Sequence, residues 1–169
     1  DAGIVLGLAA DQDYFLTIAK LRAARILWAR ISEACGAPAP ARIEARSSGR
    51  MLTAADPWTN LIRLTAAGFA AAGGALIAEH FPPTFLGAFT DVIGLPSPLA
   101  RRQARNTQLV LMEEAHIGRV ADPASGAGYV EDLTDQLAAK AWSLFQAIEG
   151  GGGLVAALRA GAVQADVAR

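Results

Sequence analysis

The chain has 169 residues, 53% of them hydrophobic and 18% charged, with 17 glycines, six Phe, three Trp and two Tyr. That composition excludes disorder and a collagen-like architecture, and its size supports one core, hence one domain or a large part of one. Fifteen basic against sixteen acidic residues give a formal net charge of −1, which lacks the electrostatic footprint of a protein that tracks nucleic-acid phosphates or an anionic membrane.

A single cysteine, Cys35, cannot form an internal disulfide, and no basic segment, apolar run and small-residue cleavage site follow one another near the start. A reducing cytoplasm is the setting expected. The most apolar run, residues 64–78, is interrupted by Gly73 and Gly74 and falls short of the roughly 20 residues a spanning helix needs, so no membrane segment is expected.

The opening Gly3-Ile4-Val5-Leu6-Gly7-Leu8 reads as a short buried strand, although periodicity alone does not separate it from a helix fragment. Asp11 is the expected N-cap of a long amphipathic helix over 12–35, in which Tyr14, Ile18, Leu21, Ala24, Trp28 and Ile31 recur at helical spacing; Gly36 and Pro38 end it. Arg42 to Ser47 alternates as a strand, and Ser48-Gly49 turns the chain. Asp56-Pro57 then starts a second helix, with Leu61, Leu64, Ala67 and Ala71 on one face and Gly73-Gly74 as its stop. A third strand is expected at Ala75 to Ala78. Residues 79–96, with Pro82-Pro83, read as a loop with a helical turn around Phe85 to Val92. Ser97-Pro98 caps a helix through Glu114. After Asp122-Pro123 and Gly126, a last long helix carries Val130, Leu133, Leu137, Ala141, Leu144 and Ile148 on one stripe, and the glycines at 150–153 stop it. Strand and helix alternate three times, the pattern of parallel βαβ units, yet three strands do not complete a barrel, which takes about 250 residues.

Few residues carry chemistry by themselves. His80 and His116 lack the spacing of metal ligands, and His116 suits the end of a helix, where a cation meets terminal carbonyls. Cys35, in the last turn of a helix, has no source of thiolate stabilisation. No GxGxxG follows a strand and no GxxxxGK[ST] occurs. The turn Ser47-Ser48-Gly49 stands at the carboxyl end of a strand, where α/β folds place ligands, with Arg42, Arg46 and Arg50 nearby. A solvated turn with ordinary arginines accounts for it equally on composition alone.

Several stretches read together resemble the methylmalonyl-CoA mutase family of adenosylcobalamin-dependent acyl-CoA mutases. Residues 18–25 with Leu27-Trp28-Ala29-Arg30 are similar to its IAKLRAxRxLWA helix. Ser48-Gly49, Leu52-Thr53 and Asp56-Pro57 with Asn60 look like SGWSLTxxDPYNN. Gly94-Leu95-Pro96, residues 104–108 and Glu113-Glu114 resemble GLP, ARNTQ and QEESG, and Asp122-Pro123, Gly126, Tyr129-Val130-Glu131 and Leu133-Thr134 resemble DPxxGSYYVExLT. All occur in the family's order from residue 11 to about 153.

The resemblance implies an α/β chain forming part of a (β/α)8 TIM barrel: roughly the last three β/α units plus C-terminal helices, with residues 1–169 as the C-terminal portion of that domain. The strands bearing the family's catalytic tyrosine and histidine, and the cobalamin-binding domain with its DxHxxG motif, are not in the sequence. Arg46 stands for the family's usual Gln, Arg50 for its Trp, and residues 77–83 replace QSLHTN, so the barrel mouth is rewritten and His80 inherits no role. In these respects the chain looks like the small, non-catalytic subunit of heterodimeric members.

The resemblance also implies sites: Arg42, Ser47 and Gln108 toward the acyl-CoA substrate and Glu114 toward the adenosyl part of adenosylcobalamin, with no catalytic residue and no metal ligand. A guanidinium suits CoA phosphates, and a carboxylate accepts ribose hydroxyls; Gln108 and Glu114 read almost as well as residues that cap and solvate the barrel rim. Two functions follow: part of a mutase interconverting methylmalonyl-CoA and succinyl-CoA by radical rearrangement, or a structural subunit supporting a catalytic partner, favoured by Arg46, Arg50 and the 79–83 loop. Either way the partners expected are acyl-CoA and a second mutase subunit, with no nucleic acid and no membrane, and the fragment alone is expected to be inactive.

Overall fold

The computed structural model describes residues 3–75 and 84–168, the side chains of Ala75 and Thr84 excepted. The chain is mixed α/β, mostly helical around a small parallel sheet. Strand β1 is Leu6–Ala10 and helix α1 Tyr14–Ala34; β2 is Ile43–Ser47, followed by a 3-10 turn at Gly49–Met51. Helix α2 is Thr59–Ala75, β3 Thr84–Phe85 and α3 Pro98–Leu109, which widens into a π turn at Val110–Glu114. Helices α4 (Gly128–Gly150), α5 (Gly153–Arg159) and α6 (Ala162–Val167) complete the order. The strands run parallel in the order β1-β2-β3, Leu6 opposite Ile43, Ala10 opposite Ser47, and Arg46 opposite Phe85.

Alternation sorts the sheet into two faces. Ala10, Ile43 and Ala45 are buried in one core with Leu21 of α1, Leu64, Ala67 and Ala71 of α2 and Ala100 of α3, and Leu6 and Leu8 pack against it. Gly7, Ala9, Glu44, Arg46 and Phe85 point the other way, where no described helix covers them. A second cluster, Ile18, Ala70 and Val130, joins α1, α2 and α4.

Several expected boundaries are corrected. The first strand begins at Leu6 rather than Gly3. The N-cap of α1 is Asp13, whose side chain accepts from the Leu16 amide at 3.3 Å. Asp11 is displaced from that role because Thr17 Oγ1 takes its backbone, accepting its N–H at 3.1 Å and donating to its carbonyl at 3.2 Å. Gly36 ends α1 as expected: at φ +69 it donates to the Glu33 carbonyl, and Ala37 donates to that of Ser32. Asp56 lies three residues ahead of Thr59, accepting from the Trp58 amide and the Thr59 hydroxyl.

Gly73-Gly74 does not stop α2, which runs through both to Ala75. A Cβ at Gly74 would lie 2.9 Å from the Ile18 Cα, so glycine is there to let α1 and α2 touch. The strand expected at Ala75 to Ala78 is therefore not formed by Ala75, and its other residues lie outside the described chain, as does His80; the third strand is Thr84–Phe85. Phe85 to Val92 forms no helix but successive turns, Asp91 donating to Ala88 and Ile93 to Thr90. Ser97 caps α3 as expected, accepting from the Ala100 amide, but the α-helix ends at Leu109 and only the π turn reaches Glu114, with Ala115 donating to Val110. Helix α4 ends in the glycine run as expected.

Arg22, buried on α1, ties α4 to the core. Its Nη2 donates to both oxygens of Glu131 at 2.9 Å, its Nε lies 3.1 Å from Asp122 Oδ1, and its Nη1 donates to Thr134 Oγ1 at 3.2 Å. Arg25, one turn on, donates to the Gly74 carbonyl at the end of α2, a favourable place for a cation.

Candidate functional site at the carboxyl ends of the strands

The loops leaving the three strands are held by side chains that use backbone groups as partners. After β1, Thr17 grips Asp11, and Lys20 Nζ donates to the Ala9 carbonyl. Burial pushes the Lys20 ammonium below the ordinary lysine range, Asp11 opposing the shift and Arg50 adding to it. After β2, the Ser48 backbone amide donates to the Ala10 carbonyl at 2.7 Å, and the Arg63 side chain donates through Nη1 to the Met51 carbonyl at 3.1 Å. Asn60, fully buried near the start of α2, accepts from the Thr53 amide and donates to the Thr53 and Phe89 carbonyls, all at 2.9 Å. It stitches the loop after β2 to the segment after β3.

Ser47 closes the third side. Its Oγ accepts from the Gly87 amide at 2.8 Å, and Asp91 Oδ2 accepts from the Ala88 amide at 2.8 Å. A Cβ on Gly87 would sit 2.6 Å from that carboxylate oxygen and 3.3 Å from Ser47 Oγ, so a side chain there would displace the Asp91 carboxylate and crowd the hydroxyl. The hydroxyl keeps its own proton to donate.

The sequence-derived site residues are not all neighbours. Arg42 is exposed at the amino end of β2, its carbonyl accepting from the Leu6 amide at 2.8 Å, whereas Ser47 stands at the carboxyl end, roughly 17 Å along an extended strand. Gln108 lies in the last turn of α3, its Nε2 turned back to the Ala104 carbonyl at 3.3 Å. Glu114 is exposed at the end of the π turn. Among the described residues no hydrogen bond joins Gln108 or Glu114 to Ser47. His116 is an exposed residue in left-handed conformation, φ +53, after the π turn.

Between Arg42 and Ser47, on the free face of β2, Arg46 Nε and Nη2 both lie within 2.7 Å of Glu44 Oε1, and the guanidinium carbon is 5.4 Å from the Phe85 ring centroid. Sequence reading noticed Arg46 but not its partner; strand alternation, which puts residues 44 and 46 on one face, was the available signal. It also gave no role to Lys20 or Asn60, although an Asn within an otherwise apolar helix start marks a buried hydrogen-bonding position.

As to cofactors, Glu114 offers an acceptor suited to a ribose hydroxyl, and no group of three or more His, Cys, Asp or Glu that could hold a metal ion occurs among the described residues. No helix among them is long and apolar enough to cross a membrane.

The methylmalonyl-CoA mutase family model matches residues 4–169. The chain is 51% identical over 157 residues to the methylmalonyl-CoA mutase small subunit of Streptomyces virginiae, covering 92% of this chain and 25% of that protein. Against the "Probable methylmalonyl-CoA mutase small subunit" of Mycobacterium tuberculosis it is 50% identical over 155 residues, 89% of this chain and 25% of that protein. The large subunit from Propionibacterium freudenreichii subsp. shermanii is 37% identical over 177 residues, 95% of this chain and 24% of that protein. The chain thus spans about a quarter of the length of the curated relatives it matches. With its motifs in order along almost its whole length and higher identity to small subunits than to that large one, the chain belongs to the methylmalonyl-CoA mutase family and is of the small-subunit type.

Proposed function

We propose that residues 1–169 form the last part of a substrate-binding (β/α)8 barrel, roughly its last three β/α units plus C-terminal helices, in a mutase that interconverts methylmalonyl-CoA and succinyl-CoA. The observation that carries the barrel reading is one-sidedness. All three strands are parallel, and α1, α2 and α3 share one core against the same face of the sheet, leaving Gly7, Ala9, Glu44, Arg46 and Phe85 with no described helix over them. A doubly wound sheet carries helices on both faces, whereas a barrel wall carries them outside only.

Within that reading, Arg42 and Ser47 mark the two ends of β2, Arg42 in step with the free-face residues Glu44 and Arg46 and Ser47 in step with the core residues Ile43 and Ala45, so an acyl-CoA on the free face would meet Arg42 and reach Ser47 only over the carboxyl end of the strand. The exposed Arg42 guanidinium suits phosphate oxygens, Ser47 retains a proton to donate, and Gln108 offers an amide. Glu114 would receive ribose hydroxyls of adenosylcobalamin, which when bound supplies the radical chemistry. The chain's own residues bind and orient; none is assigned a catalytic role.

A second reading, a subunit whose barrel supports a catalytic mutase partner in a cytoplasmic heterodimer, is favoured by the greater likeness to small subunits and by the charged pair on the free face of β2. Calorimetric titration of the full-length protein, alone and with a catalytic mutase subunit, with adenosylcobalamin and then methylmalonyl-CoA separates them. Saturable binding of both ligands by the lone protein, weakened about tenfold by Arg42→Ala, supports the substrate-site reading. No binding alone, with activity only in the assembled pair, supports the partner reading. No association and no activity in either arrangement overturns both.

A further inference from the structure

Helix α3 and the π turn that prolongs it keep their charges apart. Arg101, Arg102 and Arg105 lie in the amino-terminal half, and Glu113 lies in the last turn. Alone, this arrangement is unfavourable at both ends: Arg101 and Arg105, four residues apart, repel one another, and Glu113 adds negative charge where the helix dipole is already negative. Nothing in the fold offsets it. Arg101 Nη1 donates to the Pro96 carbonyl, and among the described residues the side chains of Arg102, Arg105 and Glu113 have no hydrogen-bond or ion-pair partner. All are exposed. Arg102, Asn106, Leu109 and Glu113 recur at helical spacing and form one stripe, on the side away from the buried Ala100 and Leu111. Leu109 is 43% exposed at its middle, and Leu99 beside it 42%.

We propose that this face of α3 and its π turn is where two copies of the chain associate, as an antiparallel pair of helices held by two Arg102–Glu113 ion pairs on either side of Leu109. The stripe is its own complement. With the two-fold axis between Thr107 and Gln108, Arg102 of each copy stands opposite Glu113 of the other, and Asn106 stands opposite Leu109; every contact is then made twice, as an isologous interface requires. A partner of one charge sign would answer only half of the stripe, whereas a second copy answers both halves and brings a carboxylate to the crowded arginines. A seam roughly 25 Å long and one helix wide covers less than the roughly 800 Å² per partner of a standard interface, so the dimer is weak and sensitive to salt. The proposal stands apart from the ligand readings above, since neither Arg102 nor Glu113 is assigned to a ligand.

Sedimentation velocity of the full-length protein tests it, over a concentration series at about 50 and about 500 mM salt. The expected result is a reversible monomer–dimer equilibrium, weakened at least about tenfold at the higher salt. Arg102→Glu and Glu113→Arg should each weaken it by at least about tenfold, because the symmetry sets like charges opposite one another at two points. An equimolar mixture of the two variants should associate as the wild type does, since each contact then joins opposite charges; that rescue also shows that both variants are folded. A wild type that stays monomeric throughout, a dimer that tolerates both reversals, or a mixture that associates no better than either variant overturns the proposal. So does a monomeric wild type whose only association, lost in both variants, is with a catalytic mutase subunit.

Discussion

A methyl group on Gly74 would lie 2.9 Å from both the Cα and the carbonyl oxygen of Ile18, and 3.1 Å from Leu21 Cβ. Two of these three atoms are backbone, so α1 and α2 meet at a distance only glycine permits. Gly73, one residue earlier, faces the tip of Ile18 at 3.7 Å, an ordinary contact. Gly74→Ala is expected to lower stability by about 2 kcal/mol or more through overpacking, while Gly73→Ala is expected to be neutral or to stabilise by up to about 1 kcal/mol through helix propensity. Urea unfolding of the two variants side by side checks this; equal effects would show that the close approach is absent.

Arg22 anchors α4 through Glu131 and Thr134 and the segment ahead of it through Asp122. Replacing it with Met keeps most of its aliphatic stem and abandons two carboxylates. Since those partners are partly exposed, the expected loss is about 2 kcal/mol, below the usual cost of breaking a fully buried pair. Hydrogen exchange should report it first in α4, whose amides open sooner than those of β2.

Glu131 gives this clamp a pH dependence. The hydrogen bonds from Arg22, and then that from the Gly126 amide, hold its carboxyl below the ordinary glutamate value of 4.5. A lowered folded-state pKa contributes stability that is present above the unfolded value and is lost as pH falls through the folded one. The wild type should therefore lose stability more steeply than Glu131→Gln between about pH 5 and pH 3. Thermal unfolding across that range measures the two slopes, and parallel curves would remove Glu131 from the account.

Asn60→Ala deletes partners of the Thr53 amide and of two carbonyls, Thr53 and Phe89, in a position with no exposure. Unmet buried backbone groups cost about 1–3 kcal/mol each when water does not reach them; a total of about 3 kcal/mol is expected here. Faster exchange of the Thr53 amide, with the α4 amides unchanged, would locate the damage at the loops after β2 and β3.

Local chemistry was legible along much of the chain. The stripes of α1 and α4, the Ser97-Pro98 start of α3 and the left-handed Gly36 after α1 all follow from side-chain periodicity and from what a helix end requires of its next residues. The order of family motifs was legible as well, because each motif is contiguous. Asp11 misled because both Asp11 and Asp13 are able to cap a helix, and the choice was made by Thr17, six residues away. Gly73-Gly74 misled for a related reason: a glycine pair reads as a helix end unless one knows that another helix lies against it.

Composition and pattern by themselves therefore determined an α/β chain with parallel βαβ units, the faces of its long helices and its likeness to the mutases. Only the tertiary structure decided that Arg22 joins residues a hundred positions away, that Gly74 lets α1 and α2 touch, and that Ser47 meets the Gly87 amide across the loops after β2 and β3. Helix stripes and caps are set by neighbours within one or two turns, whereas ion pairs, close approaches and the separation of site residues depend on how distant segments are brought together.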